Sequence, residues 1–175
     1  MRTDIKCFLN DITERDMDLL FLEEFVCSAK FLEKFTNPIG IKDATVVSVY
    51  SSKTDIVLGE SDMTIVVKSG DELIGLLIED KIDAAAMPDQ AARYNLRGQK
   101  GIKQGDFDRF YVFIIAPHDY LINNTEAKKY PNKIEYETIL SYFTELNDSR
   151  SLFKIQQIEQ AIEKQKKVIR LMWIH

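Results

Sequence analysis

Two apolar runs joined by a short polar link constrain the fold more than any other part of the chain. Residues 63–68 read MTIVVK, residues 73–78 read LIGLLI, and Ser69-Gly70-Asp71-Glu72 stands between them. The first run is rich in β-branched residues and reads as a strand. The link has the polar, Gly-containing chemistry of a hairpin connection. The second run is apolar on both faces, as expected of a strand inside a sheet with helices on either side. It ends in three charges, Glu79-Asp80-Lys81. A central strand does not usually end this way unless its end lines a cleft.

Side chains alternate faces along a strand. Glu79 and Lys81 therefore share a side with Gly75 and Leu77 behind them, and Asp80 points to the other. Antiparallel pairing about the link brings the start of the first strand beside the end of the second, which puts Asp62 next to Glu79 and Lys81. Two carboxylates at one spot repel each other unless a cation compensates. Hard oxygen ligands of this kind suit Mg²⁺ or Mn²⁺, which keep several waters and bind substrate phosphate. Lys81 is placed to orient an attacking water and to stabilise charge in the transition state. The plainer reading makes Asp62 a turn residue and Glu79–Lys81 a surface cross-strand pair. The apolar run leading into the charges argues against it.

Residues 84–98 (AAAMPDQAARYNLRG) contain good helix formers, with Pro88 near the start of the main run. Gln90 and Tyr94 are four apart and share a helix face. Arg93, Arg97 and Lys100, with Lys103 beyond, are candidate phosphate contacts along a nucleic-acid strand, or else a solvated helix face. Gly98 and Gly101 argue against the helix continuing past this point.

Asp62, Glu79-Asp80-Lys81 and Gln90-Ala91-Ala92-Arg93-Tyr94 together resemble the PD-(D/E)XK nuclease superfamily, the last element being similar to the QxxxY motif of its RecB-like branch. One position departs from the pattern: Ser61 stands where the leading Pro would be. The resemblance implies a restriction-endonuclease-like α+β fold, αβββαβ, with a mixed central sheet flanked by helices. It also implies a Mg²⁺- or Mn²⁺-dependent deoxyribonuclease, an endonuclease, in which Asp62, Glu79 and the main-chain carbonyl of Asp80 hold the metal. Family members often add a Glu from the first helix. Here residues 16–35 form an apolar-rich helix carrying Glu23 and Glu24, with no clean polar face to choose between them. Glu60, two residues before Asp62, is another candidate.

The remaining elements expected are a strand at 44–50, a strongly apolar strand at 107–116, a polar loop to Lys133, and helices at about 134–146 and 151–170. With 175 residues and 45% hydrophobic content, one domain spanning 1–175 is expected. No stretch approaches the length of a membrane span, and no export signal stands out. Two cysteines are too few for a disulfide framework, so a reduced, cytoplasmic setting is expected. His118, following Pro117, reads as a loop residue. The net charge of −5 is unusual for a nucleic-acid binder and predicts modest, salt-sensitive affinity for DNA. A homodimer, or a partner domain or subunit, fits such an enzyme; so do restriction or phage defence, repair and mobile-element roles. The rival reading is a non-catalytic nucleic-acid- or protein-binding module on the same fold. A third is a subunit assembling through its C-terminal helix and Trp173.

Overall fold

The hairpin organises the sheet. In the computed structural model, which describes residue 9, residues 11–55 and residues 59–172 (backbone alone at 52–55, 59–61 and 169–172), three strands form an antiparallel meander. They are β1 (Thr45–Asp55), β2 (Gly59–Ser69) and β3 (Glu72–Asp80). β2 and β3 pair with Met63 opposite Ile78 and Ser69 opposite Glu72. Gly70 turns the chain at φ +60°, a conformation that costs glycine little. β4 (Arg109–Ala116) joins parallel to β3, and β5 (Asn132–Glu135) parallel to β4, giving a five-stranded mixed sheet in the order β1-β2-β3-β4-β5. The expected α+β restriction-endonuclease-like architecture is present, with a fifth strand added.

Alternation along the strands builds two cores. Ile65, Val67, Ile74, Leu76, Ile78, Phe113 and Ile115 face one side, and α1 (Glu14–Cys27), α2 (Ala29–Thr36), α5 (Tyr136–Leu146) and α6 (Ser149–Met172) cover them. Val66, Leu77, Val112 and Ile114 face the other, beneath α3 (Gln90–Gln104) and α4 (His118–Asn123). Glu79 follows Leu77 onto the α3 side and Asp80 follows Ile78 onto the α1 side, as period-2 geometry requires.

Four boundaries differ from the sequence expectation. The helix expected at 16–35 is two helices. Ser28 is extended (φ −136°, ψ 108°) and its Oγ accepts the Phe31 N–H while contacting the Tyr142 hydroxyl at 2.7 Å. The break lets Phe25, Phe31 and Phe35 pack ring against ring. β1 runs to Asp55, beyond the expected 44–50, because β2 extends to Gly59 and pairs with these polar residues. The helix expected at 84–98 starts only at Gln90, after Asp89 at φ +56°, and continues to Gln104 through both glycines. A Cβ at Gly98 would lie 2.3 Å from the Phe110 ring, and one at Gly101 the same distance from Phe107. These glycines let α3 lie close on β4, and packing outweighs their poor helix propensity. Finally, residues 132–135, expected to straddle a loop and a helix start, form β5, with α4 in the preceding segment. Among the described residues no helix is long and apolar enough to cross a membrane. Trp173 lies outside the described residues, as does the Glu60 side chain.

Candidate active site

Asp62, Glu79, Lys81, Gln90 and Tyr94 meet where the start of β2 lies beside the end of β3, beneath the start of α3. Glu79 is 1% exposed and stands at the centre. Its Oε1 is 2.7 Å from Lys81 Nζ and accepts from Gln90 Nε2, while its Oε2 accepts from the Tyr94 hydroxyl at 2.5 Å. The four-residue spacing of Gln90 and Tyr94 puts both donors on the helix face that overhangs β3. Tyr94 is fully buried, and its oxygen also accepts the Asp62 backbone N–H at 3.1 Å. One hydroxyl thus connects both acidic positions. Asp62 Oδ2 accepts the Asp80 N–H at 2.9 Å across the hairpin, a consequence of the Met63–Ile78 register.

The first helix contributes acids, though not those expected. Glu14 Oε1 accepts the Ile82 N–H at 3.0 Å and its Oε2 lies 3.5 Å from Lys81 Nζ. Asp18, one turn later, is buried. Glu24 is elsewhere: it is buried against Lys154 Nζ at 2.5 Å and lies 3.5 Å from the Tyr142 hydroxyl, with Glu23 3.1 Å from the same ammonium. Ten residues along α1 place Glu24 about 15 Å from Glu14 in the axial direction. The structure therefore brings Glu14 and Asp18, not Glu23 or Glu24, to the cluster. The available signal was the i, i+4 pair of acids at 14 and 18, with Asp18 standing between Met17 and the apolar run that starts at Leu19.

Burial dominates the electrostatics of the cluster, and repulsion between neighbouring carboxylates adds to it. Burial, followed by repulsion from Glu79, pushes the Asp62 carboxyl up to about 8, against the opposing Asp80 N–H bond. Burial likewise lifts Asp18 to about 7, with Glu14 and Glu79 adding to it and Arg15 opposing. Asp80, fully buried on the α1 side, is raised well above the usual range by desolvation and by Asp18, although the Tyr136 hydroxyl donates to its Oδ1 at 2.7 Å. Burial works against the Lys81 ammonium, yet Glu79 and Glu14 outweigh it and hold its pKa above the ordinary value. Asp18 Oδ1 and Asp80 Oδ2 have no hydrogen-bond partner among the described residues.

The basic residues of α3 separate into different settings. Arg97 stacks over the Tyr94 ring at 4.1 Å, Arg93 Nη1 donates to the Pro88 carbonyl at 2.7 Å, and Lys100 is exposed on the helix surface. His118 is half exposed with Nδ1 2.8 Å from Glu135, where it meets none of the cluster.

A sequence model described as the PD-(D/E)XK nuclease superfamily matches residues 6–170. The chain belongs to the PD-(D/E)XK nuclease superfamily. The match spans every described element but the very end of α6, and the five-stranded mixed sheet flanked by helices is consistent with that family's fold. Membership carries a nuclease-type function, and members of this superfamily generally use divalent metals. Comparison with curated proteins and with solved structures gives no significant match.

The chemistry of the donor set suits such an ion. Every candidate ligand is a hard oxygen, burial and the repulsion of neighbouring carboxylates raise Asp62 and Asp18, and the adjoining Asp18 Oδ1 and Asp80 Oδ2 have no hydrogen-bond partner among the described residues. Among the described residues no three Asp, Glu, His or Cys side chains form a ready-made cage. Mg²⁺ does not need one, since it commonly binds through one or two carboxylates with water and substrate phosphate completing the shell. The residues fit.

Proposed function

We propose that this superfamily member is a Mg²⁺- or Mn²⁺-dependent deoxyribonuclease that hydrolyses phosphodiester bonds. The observation that carries this reading is Glu79, a buried carboxylate contacted by Lys81, Gln90 and Tyr94 at the end of β3 and one hairpin register from Asp62. Asp62, Glu79 and the main-chain carbonyl of Asp80 would hold the cation. When bound, a divalent cation lowers the pKa of a water and neutralises charge developing on a phosphate.

The side chains divide the remaining work. Gln90 and Tyr94 donate to different oxygens of Glu79 and fix its plane, as outer-shell partners of ligating carboxylates do. Lys81 stays protonated between Glu79 and Glu14, so it acts as a cation. It orients the attacking water and stabilises the charged transition state without taking up a proton. Glu14 sets where that ammonium sits by bridging it to the Ile82 N–H. Arg93, Arg97 and Lys100 belong to the same helix as Gln90 and Tyr94, and phosphate contacts from such residues would place a strand without reading its sequence. The net charge of −5 makes binding weak and salt-sensitive.

The test is cleavage of supercoiled plasmid, single-stranded DNA and RNA in Mg²⁺ or Mn²⁺, beside EDTA and a Lys81→Ala variant. The reading expects metal-dependent cutting of DNA that the variant loses. Absence of cutting on every substrate by folded, metal-loaded protein would refute the enzyme and favour a binding module on this fold.

A further inference from the structure

Glu126 lies outside the cluster, in the turn between α4 and β5, and is 8% exposed. Its surroundings connect it to the site through α3. The first N–H groups of a helix have no partner within the helix and need acceptors. The residue before α3 does not supply one: Asp89 is left-handed (φ 56°, ψ 23°) and its side chain makes no capping bond, whereas a capping residue ordinarily has extended backbone. Glu126 supplies the acceptor from a distant part of the chain. Its Oε1 accepts the Ala91 N–H at 3.4 Å, and its Oε2 is 2.7 Å from Lys129 Nζ, an ammonium also 3.9 Å from the Asp89 carboxylate. The turn that presents it is itself tied down, since Asn124 Oδ1 accepts the N–H groups of Glu126 at 2.9 Å and Ala127 at 3.0 Å.

Gln90 sits between Asp89 and Ala91. Its Nε2 donates to Glu79 and its Oε1 accepts the Met87 N–H at 3.3 Å. Whatever fixes the Ala91 amide therefore also fixes the backbone from which Gln90 reaches Glu79, and Tyr94 follows one turn later. We propose that Glu126 is a positioning residue for the nuclease site, a cap supplied from a distant part of the same chain that holds the first turn of α3 so that Gln90 and Tyr94 keep the Glu79 carboxylate in one orientation. Lys129, with the Ala91 and Asp89 amides, holds the Glu126 carboxyl below its usual range, so it stays an ionised acceptor at neutral pH. The proposal rests on Glu79 being a ligand of the catalytic cation.

Three variants of the full chain test it. Glu126→Gln retains an acceptor oxygen, Glu126→Asp keeps the charge but withdraws the oxygen by one methylene, and Glu126→Ala removes both. Loss of an outer-shell partner typically lowers metal affinity or activity by about 10–100-fold. The expected result is a fall of that order in kcat and in Mn²⁺ affinity for the Ala and Asp variants, with KM for DNA little changed and the Gln variant close to the parent. The side-chain NH₂ resonances of Gln90 in a ¹H–¹⁵N spectrum give a readout free of activity. They move toward free-amide positions in the Ala and Asp variants while the rest of the spectrum stays dispersed. If Glu126→Ala does not fold, the Asp and Gln pair decides. Parent-like Gln90 resonances and Mn²⁺ affinity in the folded Asp variant would overturn the proposal. So would equal losses in the Asp and Gln variants. A parent protein that cuts no DNA refutes the nuclease reading alone, because the Gln90 resonances still report the cap.

Discussion

Replacing Asp62 by asparagine should abolish cutting and yet make the metal-free protein more stable, increasingly so as pH rises. Asparagine keeps an oxygen to accept the Asp80 N–H, so the hairpin contact at 2.9 Å survives. What it removes is a charge that burial and Glu79 oppose. The Asp62 carboxyl is raised from 3.8 to about 8, so between these values the folded protein holds more protons than the unfolded chain. Stability then declines with rising pH across that window. At ~1.4 kcal/mol per pH unit the loss has a ceiling of roughly 6 kcal/mol at alkaline pH. Solvent at the partly exposed edge and titration shared with Asp18 reduce the expected gain to about 2–3 kcal/mol. For a chain of this size that is an increase in Tm of about 5–10 °C near pH 8.5, shrinking toward nothing near pH 4. The assay is thermal unfolding followed by circular dichroism, in EDTA, across that pH range. Adding Mg²⁺ should narrow the gap by stabilising the parent. A variant no more stable than the parent in EDTA near pH 8.5, or a difference that does not grow with pH, would refute the reasoning. The cluster would then be accommodated by the protein itself, with no need of a cation.

The two acids of α1 can be separated by substitution. Glu14→Gln should reduce kcat by about tenfold or more, since it disturbs the Lys81 ammonium, whereas Glu24→Gln should leave kcat per folded molecule unchanged; steady-state kinetics distinguish the two. Lys154→Met should cost about 3 kcal/mol in urea unfolding, because it strands the buried Glu24 carboxylate, and the Glu24→Met/Lys154→Met pair should recover most of that loss. Gly98→Ala should cost about 1–3 kcal/mol, as its Cβ would meet Phe110 at 2.3 Å. The Phe110→Leu background should reduce that penalty in a double-mutant cycle.

These contrasts show which parts of the molecule were legible in its residues. The hairpin, the facing of Glu79 against Asp80 and the approach of Asp62 follow from period-2 geometry and one turn, all local. Gln90 and Tyr94 are legible for the same reason, one helical turn apart on one face. Glu14 was not, because an acid just after a helix start reads first as a favourable partner of the helix dipole, and its reach to Ile82 depends on how α1 docks against the sheet. Continuation of α3 through Gly98 and Gly101 depends on Phe107 and Phe110, which no local rule connects to them. β5 was hidden by its length and by having Ile134 as its one buried residue, and the break at Ser28 combines a local cap on the Phe31 N–H with a distant contact to Tyr142 that the sequence does not reveal.

The central claim is that Glu79 and Lys81 act together on a metal-activated hydrolysis. Single-turnover cleavage of an end-labelled DNA duplex in Mg²⁺ tests it most directly, comparing the parent with Glu79→Gln and Lys81→Met, each first shown to be folded. The account predicts that the parent cuts, that both variants fall by at least about 100-fold, and that Lys81→Met still binds Mn²⁺ while Glu79→Gln binds it poorly. Cutting by both variants at the parent's rate would contradict it and place the chemistry elsewhere in the molecule.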